Sequence, residues 1–280
     1  MNRRAFVTGL GAVLATPRTG GAQRSPVPRV GYVGNSSPSL EPDLVDAFRQ
    51  GLREFGYAEG QNISIESRWA EGRYERFPGL VADLVRLKVD VIVTAGTPGA
   101  LAAKKATKTI PIVMTVAGDA VGTGLVDSLA RPGGNVTGST TIVQELEGKR
   151  LELLKEVIPR LSRVAVLTNP VNPLDPIVLK QTQLAASALH LKLEPIVGVK
   201  RVAELDGAFA TISRGRPDGL VLLADRFLLA ERVRIVELAE QRRLPTMYRY
   251  REMVKGGGLC PIRRAIRTCS AERRASWTRF

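Results

Sequence analysis

The stretch that most constrains this chain is Val89–Gly99, Val-Asp-Val-Ile-Val-Thr-Ala-Gly-Thr-Pro-Gly. Val89–Val93 is a short β-branched run, the pattern of a strand buried on both faces of a parallel sheet. Thr97 and Pro98 then supply a helix start, with Thr as N-cap and Pro at the first helical position. Ala100–Lys108 follows as a strong helix former. A strand that runs into a capped helix presents free N–H groups at the carboxyl edge of its sheet, where open α/β folds bind ligands.

The remainder repeats this unit. Arg29–Gly34, Asn62–Trp69, Val89–Val93 and Ile110–Val116 read as strands, separated by helical patterns over Leu44–Phe55, Tyr74–Leu87 and Ala100–Lys108. This alternation implies a parallel sheet with right-handed crossovers. Arg131–Gly138 is turn-rich and leads into a short strand near Val136–Thr141. After a helix over Leu146–Ile158 the alternation restarts, with strands at Arg163–Thr168, Leu193–Val199, Gly219–Ala224 and Leu244–Tyr248. A helix to about Leu189 is expected after Asn169-Pro-Val-Asn-Pro, and further helices over Val202–Ser213 and over Leu228–Gln241. Two lobes of one class result, joined near residues 139–145.

The formal charge of +14 suggests a nucleic-acid partner until it is divided along the chain. Residues 1–23 carry Arg3, Arg4 and Arg18 with no acid, and residues 261–280 carry six arginines against Glu272. The ends therefore hold eight of the surplus charges. The body interleaves acids and bases without a basic, aromatic-studded stripe, and no nucleic-acid partner is expected. Residues 1–22 have the form of an export signal, with a basic start, an apolar run over Ala5–Ala15 and small residues before a cleavage site near Ala22. Arg3-Arg4-x-Phe6 is similar to the twin-arginine signal, with the general secretory route as the alternative. Either route leads to a soluble periplasmic protein.

No catalytic signature is found: there is no G-x-S-x-G elbow, P-loop or G-x-G-x-x-G after a strand. His190, the only histidine, falls at a helix end without a nucleophile, and Cys260 and Cys269 offer no metal spacing. Neither a metal nor a cofactor is expected, and the chain is not read as an enzyme. What remains is a set of polar loops at strand ends, carrying Ser36, Thr97, Asp119, Asn169, Asn172 and Asp225. Each alone is explained by capping or turn formation. Together, on matching edges of two lobes, they outline a cleft lined by short polar groups and helix N-termini. Asp119 and Asp225 suit an ammonium group. Tyr32 and Trp69 suit either stacking on a ring or core packing.

Thr-Ala-Gly-Thr-Pro-Gly-Ala-Leu-Ala-Ala-Lys, Ala-Arg-Pro-Gly-Gly-Asn-Val-Thr-Gly and Asn-Pro-Val-Asn-Pro resemble the ABC-transporter substrate-binding proteins whose better-known members bind aromatic amino acids. The likeness runs from Arg29 to Leu259. It implies a type I periplasmic-binding fold of two Rossmann-like lobes with parallel sheets joined by a hinge, at residues 27–142 and 143–259. It also implies a monomer that captures a small organic solute, an amino acid among the candidates, and delivers it to a permease. Ligand contacts then fall on Ser36, Thr97, Asp119, Asn169, Asn172 and Asp225. A ligand-sensing regulator and an exported α/β enzyme are the rival readings. The first needs a DNA-binding segment, and the second a nucleophile–base pair.

The resemblance breaks at Cys260. Relatives continue with Ser-Tyr-Gly and then a helix like Asp-Leu-Phe-Arg-Arg-Ala-Ala-x-Tyr-Val-Asp-Lys-Ile, whereas residues 260–280 form a basic tail without amphipathic period. Back-translated from the third base of the Cys260 codon, the tail can read Asp-Leu-Phe-Arg-Arg-Ala-Ala-x-Ile-Val-Asp-Lys-Ile. The Asp of Val-Asp-Lys-Ile is forced, since the single Trp codon ends in G. A frameshift is therefore the expected origin of this tail, and the second lobe is expected to be incomplete.

Overall fold

The computed structural model describes residues 27–141, 144–250 and 253. Nineteen elements alternate along it. The first lobe holds β1 (Arg29–Gly34), α1 (Pro42–Glu54), β2 (Ser64–Trp69), a 3-10 turn at Tyr74–Arg76, α2 (Phe77–Arg86), β3 (Val91–Thr94), α3 (Thr97–Ala106), β4 (Ile112–Gly118) and β5 (Val136–Thr141). The second holds α4 (Gln144–Val157), β6 (Arg163–Thr168), α5 (Asp175–Ala188), β7 (Lys192–Gly198), a 3-10 turn at Val202–Glu204, α6 (Leu205–Arg214), β8 (Gly219–Leu222), α7 (Arg226–Ala230), α8 (Arg232–Gln241) and β9 (Thr246–Met247). All ladders are parallel, in the orders β2-β1-β3-β4-β5 and β7-β6-β8-β9.

The central strands β1, β3, β6 and β8 bury both faces, which explains their apolar runs, whereas the edge strands β5 and β7 are largely exposed. In β1, Val30 and Tyr32 point to the α1 side, where Phe48 and Leu52 cover them. Val33 points to the other face, against the cluster built by Phe77, Val81 and Leu84 of α2. Gly31 has no side chain because Leu84 lies over it; a Cβ there would stand 2.8 Å from Leu84 Cδ1. In β6, Val164 and Val166 pack with Leu151 and Leu154 of α4 and Val178 of α5. Ala165 and Leu167 face α6 and α8 through Phe209, Ile212 and Ile235. Complete burial of one such side chain contributes about 1.5–3 kcal/mol.

Two local expectations are corrected. Thr97 is not the N-cap of α3. Gly96 holds that position at φ 86° and ψ 158°, and Thr97 is the first helical residue. That backbone region is open in practice only to glycine, so the Ala-Gly-Thr-Pro order decides the start. The helix expected over Leu228–Gln241 is two helices, broken at Glu231 (φ −84°, ψ 17°). No Gly or Pro marks this break. The helix after β6 starts at Asp175, just beyond the Asn169–Pro173 segment, where Asn172 N donates to Asn169 O at 2.9 Å.

Candidate functional site

Strand order locates the site. The first sheet reverses direction between β1 and β3, and the second between β6 and β8. Such reversals open a crevice at the carboxyl ends of the strands. The loops that leave these four strands carry Asn35 and Ser36, Gly96 and Thr97, Asn169 and Asn172, and Asp225. Four of the sequence-derived candidates thus sit at the two switch points together with Ser36. Asp119 follows β4 instead.

The two edges face each other across a cavity of about 80 Å³, lined by Gly96, Thr97, Pro98, Val116, Gly118 and Thr141 from the first lobe and by Asn172, Leu174, Ala224, Asp225, Arg226, Arg249 and Tyr250 from the second. A second cavity of about 100 Å³ lies nearby. Leu40, Glu41, Pro42 and Leu44 face Leu229, Ala230 and Arg232 across it, and Arg226 borders both spaces. Organic ligands occupy pockets of roughly 300–1,000 Å³. The enclosed space between the lobes is smaller than that range, which points to a narrow crevice.

Asp225 organises the second wall. Its Oδ2 accepts from Tyr74 Oη at 3.0 Å, Asn172 Nδ2 at 2.9 Å and Asn169 Nδ2 at 3.2 Å. Its Oδ1 accepts from Leu228 N at 2.9 Å, which caps α7. Burial still pushes its pKa up, against the pull of these donors. With about two lone-pair positions on each oxygen, three donors crowd Oδ2 while Oδ1 meets one. The remaining oxygens of the turn are also engaged. Asn172 Oδ1 accepts from Leu174 N at 3.0 Å, and Asn169 Oδ1 from Val171 N at 3.3 Å.

On the first wall, the Thr97 hydroxyl accepts from Gly118 N at 3.2 Å and lies 3.4 Å from Gly118 O, tying the α3 start to the end of β4. Ser36 is buried, and its carbonyl accepts from Glu71 N at 2.9 Å. Asp119 is not part of the cavity lining; its Oδ1 accepts from Gly122 N at 2.9 Å within the following turn. Tyr32 and Trp69 pack in the α1-side core, with ring centroids 5.5 Å apart, and Tyr32 also meets Phe48 at 5.4 Å. Burial raises the Tyr32 pKa to about 12. His190 is exposed just beyond α5. Cys260, Cys269 and the export segment lie outside the described residues. Among the described residues no group of His, Cys, Asp and Glu could hold a metal ion, and no helix is long and apolar enough to cross a membrane.

Contacts that sequence reasoning missed cross between the lobes. Tyr74 Oη donates to Asp225 and accepts from Phe227 N at 3.1 Å. Burial raises the Tyr74 pKa well above its usual value, and the Asp225 charge pushes the same way. Three first-lobe glycines lie beneath second-lobe side chains. A Cβ on Gly72 would stand 3.1 Å from Phe227 Cδ2, one on Gly96 3.2 Å from Arg226 Cγ, and one on Gly118 2.2 Å from Leu174 Cδ2. The apolar core runs through this contact, joining Tyr74 and Phe77 to Phe227 and Leu228. No spacing rule links Tyr74 to Asp225, 151 positions away.

Two parallel α/β lobes whose switch points face each other across a polar crevice have the two-lobed fold of the type I periplasmic class. The model of the family described as "ABC transporter substrate binding protein" matches residues 36–264, and the chain belongs to this family. It is 29% identical over 222 residues to a tyrosine-binding protein of Clostridioides difficile (strain R20291), a match covering 79% of this chain and 63% of that protein. The chain thus spans less than two thirds of the length of that curated relative. Among solved structures, a conserved domain protein of Vibrio cholerae superposes with a TM-score of 0.73 at 29% identity, over 83% of this chain and 77% of the other. An ABC domain in complex with L-Trp from Streptococcus pneumoniae superposes with the same TM-score of 0.73 at 23% identity, over 87% and 85% of the two chains. The latter speaks for the fold alone.

Proposed function

We propose that this protein is the solute-receiving component of an ABC importer, closing its lobes over one small organic molecule and presenting it to a permease. The observation that carries this reading is the facing of two switch-point crevices across one cavity, with Thr97 and Pro98 on one wall and Asn172 and Asp225 on the other. The export-type N-terminus agrees with a periplasmic site of action. In this reading Thr97 and Asn172 reach the solute. Asp225 and Asn169 hold the wall in shape through their mutual hydrogen bonds. Ser36 supports the facing loop, and Asp119 holds the turn after β4. Capture requires no chemistry on the solute, so the polar groups serve only recognition.

Relatives whose descriptions name tyrosine and L-Trp, and a solute binding protein of Rhodopseudomonas palustris in complex with benzoate, suggest the first solutes to try. The test is a thermal-shift and calorimetric screen of L-tyrosine, L-tryptophan, benzoate, neutral sugars and polyamines on the exported protein. The expected outcome is stoichiometric binding of one member with a raised Tm, since a ligand that binds only the folded state stabilises it by mass action. Absence of any shift, together with turnover of a chromogenic ester or amide, would replace this reading by that of an exported enzyme.

A further inference from the structure

One carboxylate of the second lobe is buried between two arginines and lies behind the crevice wall. Glu147 stands in the first turn of α4, just after the connection that leaves β5 at Thr141, and it is 1% exposed. Its Oε2 accepts from Arg150 Nη1 at 2.7 Å and its Oε1 from Arg249 Nη1 at 2.6 Å. Both arginines are largely buried, with side chains 10% and 11% exposed. Charged groups are rarely withdrawn from water unless paired, and a buried trio of this kind gives little net stability over an apolar one. What it does give is a fixed geometry.

The two arginines are held differently. Arg150 is anchored independently of Glu147, because its Nη2 donates to Leu222 O at 2.9 Å and to Met247 O at 3.0 Å, the last residues of β8 and β9. Arg249 follows β9, 102 positions after Glu147, and lines the inner cavity with Thr141 and Tyr250. Among the described residues, Glu147 is the acceptor that holds its guanidinium, which also lies 6.0 Å from the centre of the Tyr250 ring. Released from Glu147, this cation has the crevice in front of it. A space of about 80 Å³ leaves little room for a guanidinium, and closing the lobes over an unpaired one removes it from water without compensation.

We infer that Glu147 is a positioning residue for lobe closure: it holds Arg249 along the second wall and keeps the guanidinium out of the crevice, so that the first lobe can come against this wall. The inference rests on closure of the lobes as proposed above. It concerns the empty protein, so its test uses no solute, and its failure is distinct from failure of the binding screen.

The Phe227 amide reports closure, because it donates to Tyr74 Oη of the other lobe at 3.1 Å. The Leu228 amide, bonded to Asp225 within the second lobe at 2.9 Å, is the control. Site-resolved hydrogen exchange is measured on the full-length wild type, Glu147→Gln, Arg249→Gln and the double variant. The wild type is expected to protect both amides. Glu147→Gln is expected to speed exchange at Phe227 by about tenfold or more relative to Leu228, as the closed arrangement loses population. Arg249→Gln leaves Glu147 paired with Arg150 and is expected to keep Phe227 within about threefold of the wild type, and the double variant is expected to regain that protection. Phe227 unprotected in the wild type or in Arg249→Gln, or unchanged in Glu147→Gln, would overturn the inference. A double variant as unprotected as Glu147→Gln would also overturn it, by showing that Glu147 acts through the fold and not through Arg249. If Glu147→Gln does not fold, recovery of the fold in the double variant, read by circular dichroism, supports the assignment, and loss of the fold in both contradicts it.

Discussion

At the scale of single residues, the site depends on which polar groups are already satisfied. Thr97, Asn172 and Asp225 were legible from sequence because each follows an apolar strand, where a short polar side chain meets free backbone groups. Their roles were not legible. Whether a carboxylate is open to a ligand depends on donors that come from elsewhere in the chain, and Tyr74 reaches Asp225 from 151 positions away. Glu41 is the contrasting case. It is buried at the α1 start with one unpartnered oxygen, and desolvation raises its pKa, opposed by the Arg226 charge and the N–H groups of Asn35 and Ser36. A carboxyl whose folded pKa is raised takes up protons on folding. Its contribution is therefore most favourable below its ordinary value of 4.5 and is lost as pH rises through the folded value. Glu41→Gln should accordingly raise stability at pH 7 relative to the wild type, and the difference should vanish below about pH 4, near the ordinary glutamate value. Urea unfolding at the two pH values measures this. A variant less stable at pH 7 would show that the Glu41 charge is stabilising in place.

At the scale of elements, alternation of apolar runs with amphipathic segments sufficed to place the strands, because burial on both faces leaves a strong pattern. Arg163–Thr168 and Val136–Thr141 are strands over the spans the sequence indicates. The break between α7 and α8 at Glu231 was hidden, since no Gly or Pro signals it. The interlobe glycines were visible as residues but not as contacts. Gly118 ends β4 with ordinary backbone angles, so its lack of a side chain serves the approach of Leu174 rather than a turn. Gly118→Val should leave the first lobe folded, with a stability change within about 1 kcal/mol, because valine suits a strand. Its methyls would occupy the space of Leu174 and hold the lobes apart. Calorimetry should then show solute affinity at least tenfold weaker, about 1.4 kcal/mol. Unchanged affinity would mean that closure does not bring Gly118 against Leu174.

At the scale of the molecule, the sheet orders, the shared core through Tyr74 and Phe227 and the small cavity together describe two lobes in a nearly shut arrangement. Two-lobed topology followed from the restart of the β–α pattern after residue 141, a signal that survives without knowledge of any contact. Closure did not follow from sequence, because it depends on side chains of one lobe finding gaps in the other. The tail from Cys260 onward, read above as a frameshift product, lies outside the described residues. The central claim is that a solute sits between the walls formed by Thr97–Pro98 and Asn172–Arg226. The most direct measurement is a crystal structure of the exported protein grown with the solute that gives the largest thermal shift. The expected result is that solute between these walls, in a cavity enlarged by opening of the lobes. Solute bound on the outer face of either lobe, with the crevice unchanged at about 80 Å³, would contradict it.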